Sequence, residues 1–292
     1  SCDLGKASFS LTPDPPLMDT PAMDQTVTRN LDRKIDLIDT APRFSDTDAI
    51  RLNNLFRGTD SQEMLRSVIR DGLAGDLAVV SSFGAESAVL LHLVAQVDRS
   101  LPVLFLETHK HFPETIAYRD QLGDVLGLTN LVIVEPDAEV IAKKDDNGLR
   151  WSWDPDGCCE IRKVEPLAKA LLHYDASITG RKGFQSSTRA GLPRFEVDRS
   201  DAQGRFKINP LASWSKDMLE AYFVEHGLPA HPLVSQGYPS IGCAPCTSRV
   251  APGEDPRSGR WKGWDKTECG IHSPTDDAKP GDELPPGYEP VF

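Results

Sequence analysis

From Ser61 onward, short unbroken runs of apolar residues alternate with stretches in which apolar positions return every three or four residues. The runs are Asp76–Phe83 (DLAVVSSF), Pro102–Thr108 (PVLFLET) and Asn130–Pro136 (NLVIVEP), and Asp175–Gly180 (DASITG) reads as a fourth strand. Runs of this kind, without strict alternation, predict strands covered on both faces. Between them Ser61–Leu73, Ala85–Val97, Pro113–Gly127 and Val164–Tyr174 carry helical spacing, and Pro113 opens its segment where a helix has an N–H to spare. Phe206–Ala212 (FKINPLA) predicts an edge strand, and Ser215–Gly227 a helix closed by glycine. The alternation predicts βαβ units: an α/β fold with a parallel sheet and helices on both faces. No internal repeat is visible.

The pattern is absent at both ends. Residues 1–42, with the Pro- and Asp-rich run Leu11–Gln25, have no period and too little apolar surface to offset their ordering entropy, which predicts a disordered tail. Residues 43–236 hold the α/β pattern. Beyond Gly237 the chain turns Gly-, Pro- and Trp-rich, so 237–292 predicts an irregular C-terminal segment ending in a mobile tail.

Charge narrows the function classes. The 292 residues carry 32 Lys+Arg against 44 Asp+Glu, a net −12. That balance opposes nucleic-acid binding, which needs a basic face. It leaves room for a small anion held by a local cluster of cations. No stretch is long and apolar enough for a membrane span, and no signal-like N-terminus is present, so a cytoplasmic protein is expected.

In open parallel sheets ligands bind beyond the carboxyl ends of the strands. Three candidate loops lie there. Ser81, Ser82, Phe83 and Gly84, in SSFGAES, offer hydroxyls and backbone N–H groups ahead of a helix, an anion cradle that an ordinary turn would also resemble. Glu107–Thr115 (ETHKHFPET) follows the second strand. Thr179–Arg189 (TGRKGFQSSTR) follows the fourth and brings Arg181, Lys182 and Arg189 to the same edge.

The cysteines add a second chemistry. Cys158 and Cys159 are adjacent, and Cys243 and Cys246 form a Cys-x-x-Cys pair 84 residues beyond Cys159. In a reducing compartment such pairs point to metal binding before disulfides. Four thiolates suit either a structural zinc or a [4Fe–4S] cluster. Adjacent side chains diverge, which favours ligands reaching separate irons of a cluster. Cys2 lies in the tail and is incidental. Cys269, in ECGIH, has no partner and is a weak candidate nucleophile by itself.

Taken in order, SSFGAES, CCEIRKVEPL, GCAPCTSR, RSGRW and ECGIH resemble the assimilatory sulfonucleotide reductases, and within them the iron–sulfur branch, the adenylyl-sulfate (APS) reductases. The likeness runs from about Asp60 to His272, and the paired cysteines followed by Glu-Cys-Gly-Ile-His are its specific part. It implies an adenine-nucleotide α-hydrolase-like fold and a [4Fe–4S] cluster on Cys158, Cys159, Cys243 and Cys246. It also implies Lys163 beside cluster and sulfate, Arg257 and Arg260 facing sulfate and phosphate, and Cys269 as the catalytic nucleophile. The loops at Ser81–Ser87 and Thr179–Arg189 would hold the nucleotide. The implied reaction is reduction of APS to sulfite and AMP through an S-sulfocysteine, with thioredoxin or a glutaredoxin-like protein as reductant, in sulfate assimilation toward cysteine. A homo-oligomer is left open. Two departures weaken the loop contacts: Glu107-Thr108-His109 stands where the family often has Asp-Thr-Gly, and Gly183 replaces a second basic residue after Lys182. The alternatives are a 3′-phosphoadenylyl sulfate reductase and a non-catalytic, metal-stabilised nucleotide-binding protein, which would leave Cys269 idle. A transfer-RNA thiolase conflicts with the charge, and an ATP sulfurylase-type enzyme needs no cysteine cluster.

Overall fold

The computed structural model describes residues 43–272 except 186–188, 190, 202 and 267. The expected disordered tail at 1–42 and the stretch Ser273–Phe292 lie outside the described residues. The helices are α1 Asp46–Leu55, α2 Ser61–Arg70, α3 Ser87–Ala95, α4 Pro113–Leu126, α5 Ala138–Lys144, α6 Pro155–Cys159, α7 Glu165–Leu171 and α8 Lys216–Glu225. The strands are β1 Leu77–Val80, β2 Val103–Leu106, β3 Leu131–Val134, β4 Ala176–Thr179, β5 Phe195–Val197 and β6 Phe206–Ile208.

The strands form one sheet in the order β3-β2-β1-β4-β6-β5. β1 pairs in parallel with β2 and β4 (Val79 opposite Val103 and Ile178), β3 extends the sheet beyond β2, and β6 runs parallel to β4. Only β5 is antiparallel, against β6. The sheet is therefore mixed rather than wholly parallel, and Phe206–Ile208 is one place in from the edge that the sequence pattern assigns it. The edge is β5, three residues long.

Alternate residues of one strand serve opposite faces, as a pleated strand requires. Leu77 and Val79 of β1, with Val103 and Phe105 of β2, pack under α2, α3, α4 and α8, where Met64, Leu65, Leu91, Tyr118 and Leu122 are fully covered. Ala78 of β1, with Leu104 and Leu106 of β2, faces Leu167 and Leu171 of α7. Helices thus cover both faces. Ile271, near the end of the described chain, packs on the α7 side. The segment after α8 is tied to α4 by the Tyr118 hydroxyl on the Pro229 carbonyl (2.8 Å) and by Thr115 to His231 (3.0 Å).

Candidate active site

At the carboxyl end of β1 the chain bends through Ser81–Glu86 into α3. The Ser81 hydroxyl accepts the Phe83 N–H at 3.2 Å, and Phe83 takes a left-handed φ of 48° with its ring buried edge-on against Phe105. Among the described residues, the non-glycine residues with positive φ are Phe83, His109 and Trp261. Phe83 lies in the loop after β1 and His109 in the loop after β2, and the Trp261 N–H donates to the Cys246 carbonyl at 3.1 Å. A left-handed bulky residue costs on the order of 1–2 kcal/mol, so it persists where the surroundings demand it. Gly84 is needed for closeness: a Cβ there would stand 3.2 Å from the Ile241 carbonyl, two residues before Cys243. The loop after β1 therefore packs against the segment that leads into the second cysteine pair.

The end of β2 holds that pair. The Thr108 hydroxyl lies 3.3 Å from the Cys243 Sγ, and the Ala244 N–H donates to the Lys110 carbonyl at 2.7 Å. Cys243 and Cys246 bracket a single 3₁₀ turn in which Thr247 bonds back to the Cys243 carbonyl at 2.9 Å. His109, at the family's glycine position, keeps the left-handed backbone that a glycine would adopt freely, with its N–H on the Glu107 carboxylate (2.7 Å). Nearby, His111 hydrogen-bonds the Leu106 carbonyl (2.8 Å), while its Nδ1 is buried without a partner among the described residues.

The first pair ends α6. Asp154 caps that helix by accepting the Gly157 N–H (2.8 Å), and Arg150 braces Asp154 with two bonds of 3.0 and 2.7 Å. Any Cβ on Gly157 would meet both side chains at 2.2 Å or less. A π turn, Glu160–Val164, follows Cys159 without a break and carries Arg162 and Lys163 before α7 begins. Arg162 is buried with Asp145, bonded at 2.6 and 3.1 Å, and donates to the Thr108 carbonyl at 2.9 Å.

All four cysteines line one cavity together with Lys110, Arg162, Lys163 and Trp261. Burial pushes the Cys158 thiol up to about 11, and burial also raises Cys246. Among the described residues no three His, Cys, Asp or Glu side chains gather about a single-ion point. The donor set suits soft-metal ligation, and cations beside it can offset thiolate charge. Three buried thiols and the half-buried Cys246, in two tight pairs lining one cavity, are a donor set that fits the cluster expected from the sequence.

Cys269 reaches the rim of this cavity. A hydrogen bond with Cys159 holds its thiol well below the usual range, and the Lys163 ammonium, the Ile271 N–H and Lys266 act in the same direction against burial. Lys163 itself is held above its usual value: burial opposes its charge, but Cys243, Cys269 and Cys159 outweigh it. Among the described residues Lys163 has no carboxylate partner. Gly270 lies against Val164 of the π turn, where an added Cβ would be 3.0 Å from a Val164 methyl. The Lys266 ammonium bonds Asp156 of α6 at 2.5 Å. In this structure Cys269 is docked on the helix of the first cysteine pair.

The remaining candidates lie on the loops around it. Arg260 stacks on the Trp261 ring (4.4 Å) and packs on Gly242, and its Nε is buried without a partner among the described residues. Arg257 reaches the Glu268 carboxylate at 3.5 Å. Arg181 and Lys182 are both buried and paired, with Glu196 and with Glu86 (2.8 Å) respectively, and Ser82 is exposed. The sequence reading missed Lys266, Asp145 and the carboxylates Glu86 and Glu196. A cation three residues before Cys269 is a signal available for Lys266. The carboxylates pair across 15 to 96 residues and leave no local mark.

Residues 76–249 match the family of the phosphoadenosine phosphosulfate reductase domain. A protein of Chelativorans sp., named adenosine 5′-phosphosulfate reductase, is 56% identical over 200 residues, covering 68% of this chain and 80% of the relative. One of the same name from Mesorhizobium japonicum is 47% identical over 240 residues, 82% of this chain and 93% of the relative. The crystal structure of phosphoadenylyl-sulfate reductase from Candida auris in complex with phosphate superposes with a TM-score of 0.59 at 29% identity, covering 72% of this chain and 100% of that one. With its matching segment spanning the sheet and both cysteine pairs and ending three residues past Cys246, the chain belongs to the phosphoadenosine phosphosulfate reductase domain family.

Proposed function

We propose that the protein reduces adenylyl sulfate to sulfite and AMP, with a thioredoxin-type dithiol as the source of electrons. The observation that carries this reading is the hydrogen bond of Cys269 to Cys159 of the four-cysteine cavity, beside Lys163, with the preceding Glu268 held by Arg189 and Arg257. The Cys269 thiolate attacks the sulfate sulfur. The bond from that sulfur to the bridging oxygen breaks, and AMP leaves with the electron pair. The enzyme is left with an S-sulfocysteine. A reductant thiolate then attacks the Cys269 Sγ and expels sulfite, and its second thiol resolves the mixed disulfide, so two electrons pass from dithiol to sulfur. Lys163, Arg257 and Arg260 neutralise the oxyanions, and the buried Arg260 Nε has no partner among the described residues. Ser81, Ser82, Phe83 and Gly84, with the start of α3, cradle the nucleotide; Glu86 makes no side-chain cap bond to the first helical N–H groups.

Cys158, Cys159, Cys243 and Cys246 would hold the [4Fe–4S] cluster. When bound it supplies fixed local charge beside Lys163. In the reading proposed here residues 43–236 form the nucleotide-binding part and 237–292 the segment bearing the second cysteine pair and the nucleophile. APS is favoured over its 3′-phosphorylated relative on the strength of the four paired cysteines, the mark of the iron–sulfur branch. Among the described residues no helix is long and apolar enough to cross a membrane.

The test is a rate comparison of the two nucleotides with reduced thioredoxin. APS is expected to yield AMP and sulfite in equal amounts, and its phosphorylated relative to react far more slowly. Equal rates would remove the substrate assignment, and no sulfite from either would remove the reaction. The cluster is checked separately. Cys243→Ser, purified without oxygen, is expected to lose most of its iron, its brown colour and part of its thermal stability. A variant retaining full iron, or a wild-type protein holding zinc alone, would overturn the ligand set.

A further inference from the structure

Cys269 is preceded by a glutamate in a site that must accept a multiply charged anion, and that carboxylate is fully engaged. The Arg189 guanidinium grips Glu268 side-on, Nε to Oε1 at 2.9 Å and Nη2 to Oε2 at 2.7 Å, and Arg257 approaches the same Oε2 at 3.5 Å. Arg189 is buried, with only 8% of its surface exposed. Its remaining nitrogen, Nη1, donates to the Gln185 side-chain oxygen (2.5 Å), the Gln185 amide donates to Glu86 (2.8 Å), and Glu86 takes Lys182 as well (2.8 Å). One chain of hydrogen bonds therefore joins the residue beside the nucleophile to the loop that opens α3. Two-bond arginine–carboxylate pairs fix direction as well as distance. The other anchors of this segment act elsewhere: Lys266 on Asp156, Gly270 on Val164 and Ile271 on the α7 face.

We propose that Glu268 is a positioning residue for Cys269, its paired bonds with Arg189 setting the nucleophile against the bound substrate and registering it to the nucleotide loop. A carboxylate next to an attacking thiolate repels the incoming anion when unpaired. Two guanidinium groups cancel that charge and leave the geometric benefit. The proposal rests on the reading of Cys269 as nucleophile and of APS as substrate.

The test uses the full-length, cluster-loaded protein without oxygen or reductant, and follows S-sulfocysteine formation by intact mass in a single turnover. Glu268→Gln keeps the side-chain shape and removes the charge. Its adduct-forming rate is expected to fall by about 10–100-fold, the penalty of a slightly misplaced reacting group. APS affinity, measured by equilibrium dialysis in a Cys269→Ser background, is expected to change little. Arg189→Ala should lose as much, the double variant no more than either single one, and Arg189→Lys should recover part of the rate. Amide exchange over 268–272 should rise in Glu268→Gln with no nucleotide present. A normal adduct rate in Glu268→Gln, additive losses in the double variant, or tighter APS binding at an unchanged rate would overturn the proposal; the last would make Glu268 a competitor of the substrate anion. Cys269→Ser run alongside separates the two readings. If it still makes sulfite, the nucleophile assignment fails. If it is inert while Glu268→Gln reacts normally, only the positioning role fails.

Discussion

Cys269→Ser is expected to form no S-sulfocysteine and to release no sulfite from APS, while keeping its iron, its colour and its affinity for AMP. The loss should be on the order of 10⁶-fold, as when other covalent nucleophiles are removed, and will read as zero in most assays. The reason is positional and chemical together. Cys269 lies among Lys163, Lys266 and the Ile271 N–H, three groups that favour a negative sulfur. A serine there keeps the size and the neighbours, but an alkoxide is far less accessible than a thiolate, and an O-sulfo product offers a reductant no sulfur to attack. The spared properties matter as much as the lost one. The cluster ligands assigned here do not include Cys269, and the loop from Ser81 to Gly84 does not depend on it. The check is intact mass after incubation with APS: wild type gains one SO₃ group on the Cys269 peptide, which reduced thioredoxin removes, and the variant gains none. Sulfite at the wild-type rate would discard Cys269 as nucleophile.

The largest loss of stability is expected at a residue with no part in the chemistry. Asp145→Ala should cost about 3–5 kcal/mol, because it leaves Arg162 charged and buried without its counter-ion. Arg162 and Asp145 side chains are 5% and 0% exposed, so water cannot replace the lost partner. Asp145 also accepts the Arg150 N–H at 2.8 Å, which couples it to the brace on Asp154 at the start of α6. Asp145→Asn keeps an acceptor for that N–H and should lose less. Urea unfolding of the cluster-loaded proteins gives the comparison. An Asp145→Ala midpoint indistinguishable from wild type would mean that the pair is hydrated in solution. Arg162 is also the link to the Thr108 carbonyl, whose hydroxyl meets Cys243. The variant should therefore lose iron faster to a chelator than its global stability alone accounts for.

The legible part of this protein in its sequence follows from burial. β1 and β2, covered on both faces, read as unbroken apolar runs, and α2, α4 and α8 read by period and end signals. Elements with little to bury left no such trace. α5 has no buried residue, and α1 buries only Ala49 and Leu52. β5 is three residues long and owes its existence to pairing with β6, a tertiary fact, so Phe206–Ile208 reads as the edge strand although it lies one place in from the edge. At the site, the cysteines were legible because few roles suit that residue type at that spacing. Their setting was not: the grip of Arg189 on Glu268 spans 79 residues, and Arg162 finds Asp145 17 residues back, just past the end of α5.

The π turn between α6 and α7 has a bearing on how this chain tolerates change. From Pro155 to Leu171 the backbone coils without interruption, yet the two ends answer to different masters: Cys158 and Cys159 to the cavity, Leu167 and Leu171 to the sheet. An α-helix turns about 100° per residue, so the one surplus residue held in a π turn offsets the two ends by roughly that angle. Deleting any single residue from Glu160–Val164 would restore an ordinary helix and swing the thiols, or the leucines, off their mark. In this stretch Arg162 and Lys163 are fixed by their neighbours, and the π turn fixes the length as well.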